Sequence, residues 1–315
     1  MAPQLSVIMS AYNSSDTIER AVRSILDQSF TDFELIVMND GSTDDTEAKI
    51  LSYSDERIQY YKLEHAGLTR ALNFGLSRAV GEIIARHDSD DWSEPERFSI
   101  QMQSFIENDE CDLIASWHNV VDTAGNYLGR KRTPLDDESL KNMLTWRNPF
   151  CHGSVAIRKS VLDQVGGYNE SLLYSQDYDL WVRLEASGAK FSCVPEALYN
   201  YSISPESIAK GWLKLGNQKR LRANALLPAD QRKYSITQIS SVGNRRSDSL
   251  WHYAIGSLAL DDGHHRRATL HFLRSLASDP LNWRALVKIG TAFLPRSGAD
   301  NFYRRVKTRR GSKQQ

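Results

Sequence analysis

The run VGEIIARHDSDDWSEPERF, residues 80–98, reads as a short buried strand over 82–86 that ends in a knot of acid: Asp88, Asp90 and Asp91. Serine and proline then start a helix, with Ser93 expected as its N-cap and Pro95 in its first turn. Carboxylates at the end of a strand sit at the rim of a sheet, where open α/β folds take their ligands. Crowding three of them into four residues costs repulsion, and a divalent cation relieves it. Ligation by oxygen alone suits Mg²⁺ or Mn²⁺, which bind through one or two carboxylates plus substrate phosphates. Alone, such a cluster is more often a solvated acidic turn; its neighbours decide otherwise.

Upstream, LSVIMSAYN (residues 5–13) and FELIVMND (33–40) are apolar runs closing in polar residues, the pattern of parallel strands covered on both faces. Helices are expected over 15–28, with Ile18, Val22, Ile25 and Leu26 on one face, and over 68–79; a weaker strand lies at 58–62. This strand–helix rhythm implies a parallel sheet with right-handed crossovers, so the acidic knot shares a carboxyl edge with Asn13 and Asp40. Such a crevice suits a nucleotide. Downstream, a helix over 94–106, a strand over 112–121, a turn over 122–129 and a helix over 137–144 are expected. Gly166 and Gly167 mark a helix end, and Asp177 and Asp179 open a helix whose Leu180, Trp181 and Leu184 face the core.

The 315 residues carry 39 Lys and Arg against 39 Asp and Glu, and that neutrality hides a split. Residues 1–204 hold 18 basic against 32 acidic side chains, a net of −14; residues 205–315 hold 21 against 7, a net of +14. Two modules with different partners are therefore expected, divided at 204/205. Cys111, Cys151 and Cys193 are too scattered for a disulfide framework or a zinc site, and are expected as reduced core residues. Strand-like residues begin at Leu5, so no signal peptide is expected, and no apolar run approaches a membrane span. The expected location is cytoplasmic.

The segments SVIMSAYN, NDGSTDDT, ALNFGLSRAVGEIIARHDSDD, HGSVAIRKSVLDQVGGYNE and SQDYDLWVRL, in that order, resemble the family-two glycosyltransferases of the GT-A fold. The resemblance covers about two thirds of the chain and implies a Rossmann-like, mostly parallel sheet flanked by helices. It also implies an inverting transferase that uses a UDP-sugar and Mn²⁺ or Mg²⁺. Tyr12 would pack on the base and Asp40 would accept the uracil N3–H, a charge-assisted bond. Asn13 and Ser89 would line the nucleotide-sugar pocket, Arg70 would reach the phosphates, and Asp88 would lie near the ribose and metal. Asp90 would be the principal metal ligand, with His152 near the metal or diphosphate. Asp177 would be the catalytic base. Two departures stand out: Asn39 replaces the first aspartate of the usual pair, and Gln176 replaces the glutamate before the base.

The implied chemistry is a single displacement by an acceptor hydroxyl, in bacterial capsule, exopolysaccharide or O-antigen synthesis, on a lipid-linked or glycan acceptor. A nucleotidyltransferase would want a glycine- and lysine-rich phosphate loop, and SAYNSSDT has none. The other alternative is a catalytically decayed transferase acting as a scaffold through its helical C-terminus; retention of Asp40, Asp88, Asp90 and Asp177 weighs against it. In the basic module, Gly256, Ala268, Phe272 and Pro280 fit one tetratricopeptide-like helical pair near 250–283. The tail, residues 302–315, has six basic residues and no acid, which suits an anionic membrane surface at the inner face of the cell membrane. Nucleic acid is not expected as a partner, since the tail has few aromatics to stack bases.

Overall fold

Parallel strands covered on both faces need continuous apolar runs, and the first strands of the chain supply them. In the computed structural model, which describes residues 2–172, 174–204, 218–227 and 244–291, β1 (Leu5–Ala11) and β2 (Phe33–Asp40) are buried at every position. With β3 (Ile58–Leu63) and β4 (Ile83–Asp88) they form a parallel half-sheet in the order β3-β2-β1-β4. Leu5 pairs with both Phe33 and Ile83, and that register brings Ser10 opposite Asp88 and Ala11 opposite Asn39. The polar ends of three strands thus finish on one edge, as the strand–helix rhythm implies.

Side-chain alternation divides the core between the two faces. Ile18, Val22 and Ile25 of α1 (Ile18–Leu26) pack with Leu5, Val7 and Met9 on one face. On the other, Ile8, Ile36 and Ile84 meet Ala71 and Leu72 of α3 (Leu68–Arg78) and Leu180, Trp181 and Leu184 of α7 (Gln176–Ala186). Each such aliphatic burial contributes roughly 1.5–3 kcal/mol. Helix α3 sits close enough that a Cβ on Gly75 would lie 2.7 Å from the Met38 methyl. The short α2 (Thr46–Leu51) follows the turn at Gly41, whose φ of +74° favours glycine.

Beyond β4 the sheet turns antiparallel, with β8 (Ala156–Arg158) pairing β4 and β6 (Leu113–Asp122) pairing β8. Next come β9 (Phe191–Ile203) and the two-residue β5 (Trp92–Ser93), while β7 (Tyr127–Lys131) pairs β6. The expected N-cap is displaced: Ser93 belongs to β5, opposite Tyr199, and its Oγ accepts a hydrogen bond from Arg97 Nη1 at 3.0 Å. Helix α4 (Arg97–Glu107) therefore starts later, after Glu96. Three further helices complete this part: α5 (Asp137–Leu144), α6 (Lys159–Val165) and α8 (Gln218–Ala225). The Asp136 carboxylate caps α5 through the Ser139 N–H, and Gly166, at φ +76°, ends α6 as its glycine pair implies.

The described residues fall into two compact units. The first comprises residues up to 119, 132–202 and α8; the second holds 120–131, 203–204 and three helices. These are α9 (Asn244–Asp261), α10 (His265–Ser278) and α11 (Trp283–Thr291). Within the second unit, Gly263 at φ +82° turns the chain between α9 and α10. A Cβ on Gly256 would lie 2.7 Å from the Phe272 ring, and Ala268 and Phe272 are fully buried at the same contact. The basic tail at 302–315 and residues 205–217 lie outside the described residues. No described helix is long and apolar enough to cross a membrane.

Candidate functional site

The crevice is built from the loops that leave β1, β2 and β4. Tyr12, 46% exposed, stacks on His65 with ring centroids 4.2 Å apart. His65 in turn approaches Asp40, its Nδ1 lying 3.0 Å from Oδ2 and 2.9 Å from the main-chain oxygen. The buried Asp40 carboxylate also accepts the Ala66 and Gly67 N–H groups at 2.9 and 3.0 Å. With about four lone-pair positions, it retains capacity for a further donor. His65 carries no motif of its own and comes beneath Tyr12 only through tertiary folding, so local spacing does not single it out.

Asn13 and Ser89 brace these loops. Asn13 adopts φ +48°, its Oδ1 accepts the Thr43 N–H at 2.9 Å, and its own N–H donates to Ser42 Oγ at 3.0 Å. Asparagine is among the few residues that tolerate this left-handed conformation. The Ser89 hydroxyl meets that of Ser14 at 2.8 Å, and its carbonyl accepts from Thr17 Oγ1 at 2.9 Å. Arg70 is exposed and pairs with Glu170 at 3.3 Å.

The three aspartates take three environments. Asp88, on the same face of β4 as Ile84 and Arg86, is partly exposed and pairs with the wholly buried Arg86 at 2.5 Å. Burial acts most strongly, to lower the Arg86 guanidinium, but Asp88 together with the Tyr199 and Tyr168 phenols outweighs it and keeps the arginine charged. The protein packed around Asp90, and then Asp88, push its carboxyl up to about 6, although the residue keeps an exposed face at the rim. Burial, then Asp90 and Asp88, raise Asp91 well above the usual carboxylate range. Asp91 does not cap the turn after it: its Oδ1 accepts the Ser202 N–H at 2.7 Å, tying the acidic loop to β9. Arg20 supports the loop from outside, donating to the Asp90 carbonyl at 3.2 Å and stacking 3.9 Å over Trp92.

Beneath the loop, Cys151 leads into a 3₁₀ turn, His152–Ser154. His152 Nε2 bonds the Tyr168 hydroxyl at 2.7 Å, and its ring meets Trp181 edge-on at 6.0 Å. Burial, then Arg86, holds His152 well below its ordinary range, which favours the neutral imidazole. The chain lays Asp177 in the first turn of α7, where Asn148 Nδ2 donates to Asp177 Oδ2 at 2.6 Å. Tyr168 is buried against His152: burial chiefly raises its phenol, Arg86 opposes, and Asp177 and Asp88 add to the rise. Asp179, one turn face away, is wholly buried and pairs with Arg183 at 2.8 Å, so it supports the helix rather than the crevice.

A cation fits the carboxylates better than a preformed cage. Asp88 and Asp90 repel one another, and a positive charge between them removes that penalty. Among the described residues no three His, Cys, Asp or Glu side chains converge on one point. A bound Mg²⁺ or Mn²⁺ would thus take its remaining ligands from diphosphate oxygens and water, as such ions commonly do.

A half-parallel, half-antiparallel sheet with an acidic loop at its parallel edge defines the class: a transferase of the GT-A-like fold. The profile described as "Glycosyl transferase family 2" matches residues 6–166, and the chain belongs to that family; it is a glycosyltransferase. It is 31% identical to the O-antigen biosynthesis glycosyltransferase WbnJ of Escherichia coli over 66% of this chain and 83% of that one. It is 30% identical to a UDP-Gal:alpha-D-GlcNAc-diphosphoundecaprenol beta-1,3-galactosyltransferase of the same organism, over 65% and 76% of the two chains. Among solved structures, Staphylococcus aureus TarS 1–349 in complex with UDP shares the fold, with a TM-score of 0.57 at 20% identity over 99% of this chain and 92% of that one. A mannosyltransferase of Pyrobaculum calidifontis, solved with GDP-Man and Mn²⁺, matches with a TM-score of 0.53 at 17% identity over 96% and 83%.

Proposed function

We propose that this chain is a metal-dependent, inverting glycosyltransferase that moves a sugar from a UDP-sugar to a hydroxyl acceptor in bacterial surface polysaccharide synthesis. The observation that carries the reading is the convergence of the ends of β1, β2 and β4, with Asp40, Asp88 and Asp90, on one edge of the parallel half-sheet, in a chain that the family profile matches over residues 6–166. The relatives named above act in O-antigen synthesis and on a diphosphoundecaprenol-linked sugar, which supports a lipid-linked acceptor here.

Tyr12, with His65 behind it, offers the face for the base, and Asp40 the acceptor for the uracil N3–H. Asn13 and Ser89 hold the loops around the nucleotide, and Arg70 stands at the rim for the phosphates. Asp90, with Asp88 beside it and His152 nearby, would hold the cation, whose charge would neutralise a departing diphosphate. Asp177 takes the proton of the acceptor hydroxyl. That oxygen bonds to the anomeric carbon as the bond to the UDP oxygen breaks, UDP leaves with the electron pair, and configuration inverts. The basic C-terminal segment, by its net charge of +14, suits attachment at the cytoplasmic face of an anionic membrane.

Asp177→Asn tests the reading, because it keeps size and the Asn148 contact but cannot take a proton. Positioned bases contribute on the order of 10²–10⁴-fold. Turnover should fall by that factor while UDP affinity stays put; a variant retaining a tenth or more of wild-type transfer would reassign the base.

A further inference from the structure

Trp146 stands out among the tryptophans whose side chains are described: it alone is exposed, at 55%. A large apolar ring left in water calls for a partner, and tryptophan is among the residues that most often anchor one. It sits in the turn that ends α5, its N–H donating to the Met143 carbonyl at 3.1 Å, with the Arg147 N–H on the same oxygen at 3.0 Å. The Arg147 guanidinium lies 4.6 Å from the indole centroid, so ring and cation form one composite surface.

The next residues fix where that surface is. Asn148 Oδ1 accepts the Phe150 N–H at 3.1 Å, while its Nδ2 holds Asp177 at 2.6 Å. Consecutive Cα atoms are about 3.8 Å apart, which keeps the Trp146 backbone within roughly 8 Å of the residue that touches the proposed base. On the segment entering α7, Tyr174 is 42% exposed, and Ser175 turns the chain at φ +57° just ahead of Asp177. An exposed ring thus precedes each partner of the Asn148–Asp177 contact by two or three residues.

We propose that Trp146 and Arg147 form the acceptor platform, and that the acceptor is a glycosyl diphosphate; this rests on the transferase reading above. The indole covers the C–H face of the acceptor pyranose, which presents its hydroxyl edge to Asp177. The guanidinium takes the phosphate attached at the anomeric end, as a planar cation suits an anionic oxygen pair. An apolar sugar face with a charge beside it is what a ring and a cation side by side can read.

The test is binding to the full chain loaded with UDP and Mn²⁺. The probe is a synthetic α-GlcNAc diphosphate with an undecyl chain, the sugar being that of the E. coli relative's acceptor. Methyl α-GlcNAc and undecyl diphosphate serve as partial probes for sugar and phosphate. Trp146→Ala should weaken the full probe on the order of tenfold or more, and Trp146→Phe should restore most of it. Arg147→Met should weaken the full probe and undecyl diphosphate but leave methyl α-GlcNAc unchanged. Wild type that takes UDP but not the probe, or Trp146→Ala that binds it as wild type does, overturns the platform. UDP affinity, measured alone on the same samples, reads the donor side and so separates that failure from failure of the transferase reading.

Discussion

Gly153 and Tyr199 occupy one space: a Cβ on Gly153 would collide with the Tyr199 hydroxyl, and that hydroxyl accepts the Asp88 N–H at 3.1 Å. The absence of a side chain at 153 is thus what lets a tyrosine of β9 hold the first aspartate of the acidic loop. Gly153→Ala should cost about 1–3 kcal/mol by overpacking and should also weaken metal-dependent UDP binding. Tyr199→Phe keeps the ring but orphans a donor, at about 1–3 kcal/mol. Urea unfolding checks both; a Gly153→Ala protein with unchanged midpoint and unchanged UDP affinity contradicts the relationship.

Asp179 and Arg183 form a buried ion pair at 2.8 Å, and Arg183 also donates to the Val165 and Gly167 carbonyls, each at 2.8 Å. Removing one partner leaves a charge buried and uncompensated, typically about 3–5 kcal/mol. Asp179→Asn should therefore lower the unfolding midpoint sharply, and residual folded protein should keep its transfer chemistry. A stable Asp179→Asn protein with transfer abolished would instead place Asp179 in catalysis.

In the helical unit, His252 and His271 face each other with Nδ1 atoms 3.2 Å apart. Burial, then His252, then Arg267 and Arg274 lower His271 to about 4, while burial and Arg274 lower His252, with Asp248 opposing. Unfolded histidines near 6.5 bind more protons than these folded ones between 6.5 and 4, so stability falls as pH drops through that window. Proton NMR should find His271 still neutral at pH 5.5. A midpoint near 6.5 for that ring, or a helical signal insensitive to acid down to pH 4, contradicts this.

The parallel half of the fold is legible because β1 and β2 read as largely apolar runs, buried at every position, and its helices keep one apolar face. The acidic loop is legible too, since Asp88, Asp90 and Asp91 are consecutive or nearly so. What escapes is whatever depends on distant partners. Ser93 has the chemistry of an N-cap, but pairing with Tyr199 and the reach of Arg97 draw it into a strand. Asp91 resembles a local cap and is instead bound to Ser202, 111 residues away. Short antiparallel strands such as β8 carry too few residues for a period to register. Arg86 gives no hint of burial, because its place is set by Asp88 on the same face of β4.

Calorimetric titration of UDP into the full chain, with and without Mn²⁺, for wild type and Asp90→Ala, tests the metal-dependent donor site most directly. Wild type should bind UDP with Mn²⁺ present and far more weakly without it, and Asp90→Ala should lose the metal-dependent part while its unfolding midpoint holds or rises, since a repelled carboxylate is gone. Equal UDP affinity with and without Mn²⁺ in wild type, or an undiminished metal effect in Asp90→Ala, would contradict the assignment of the acidic loop.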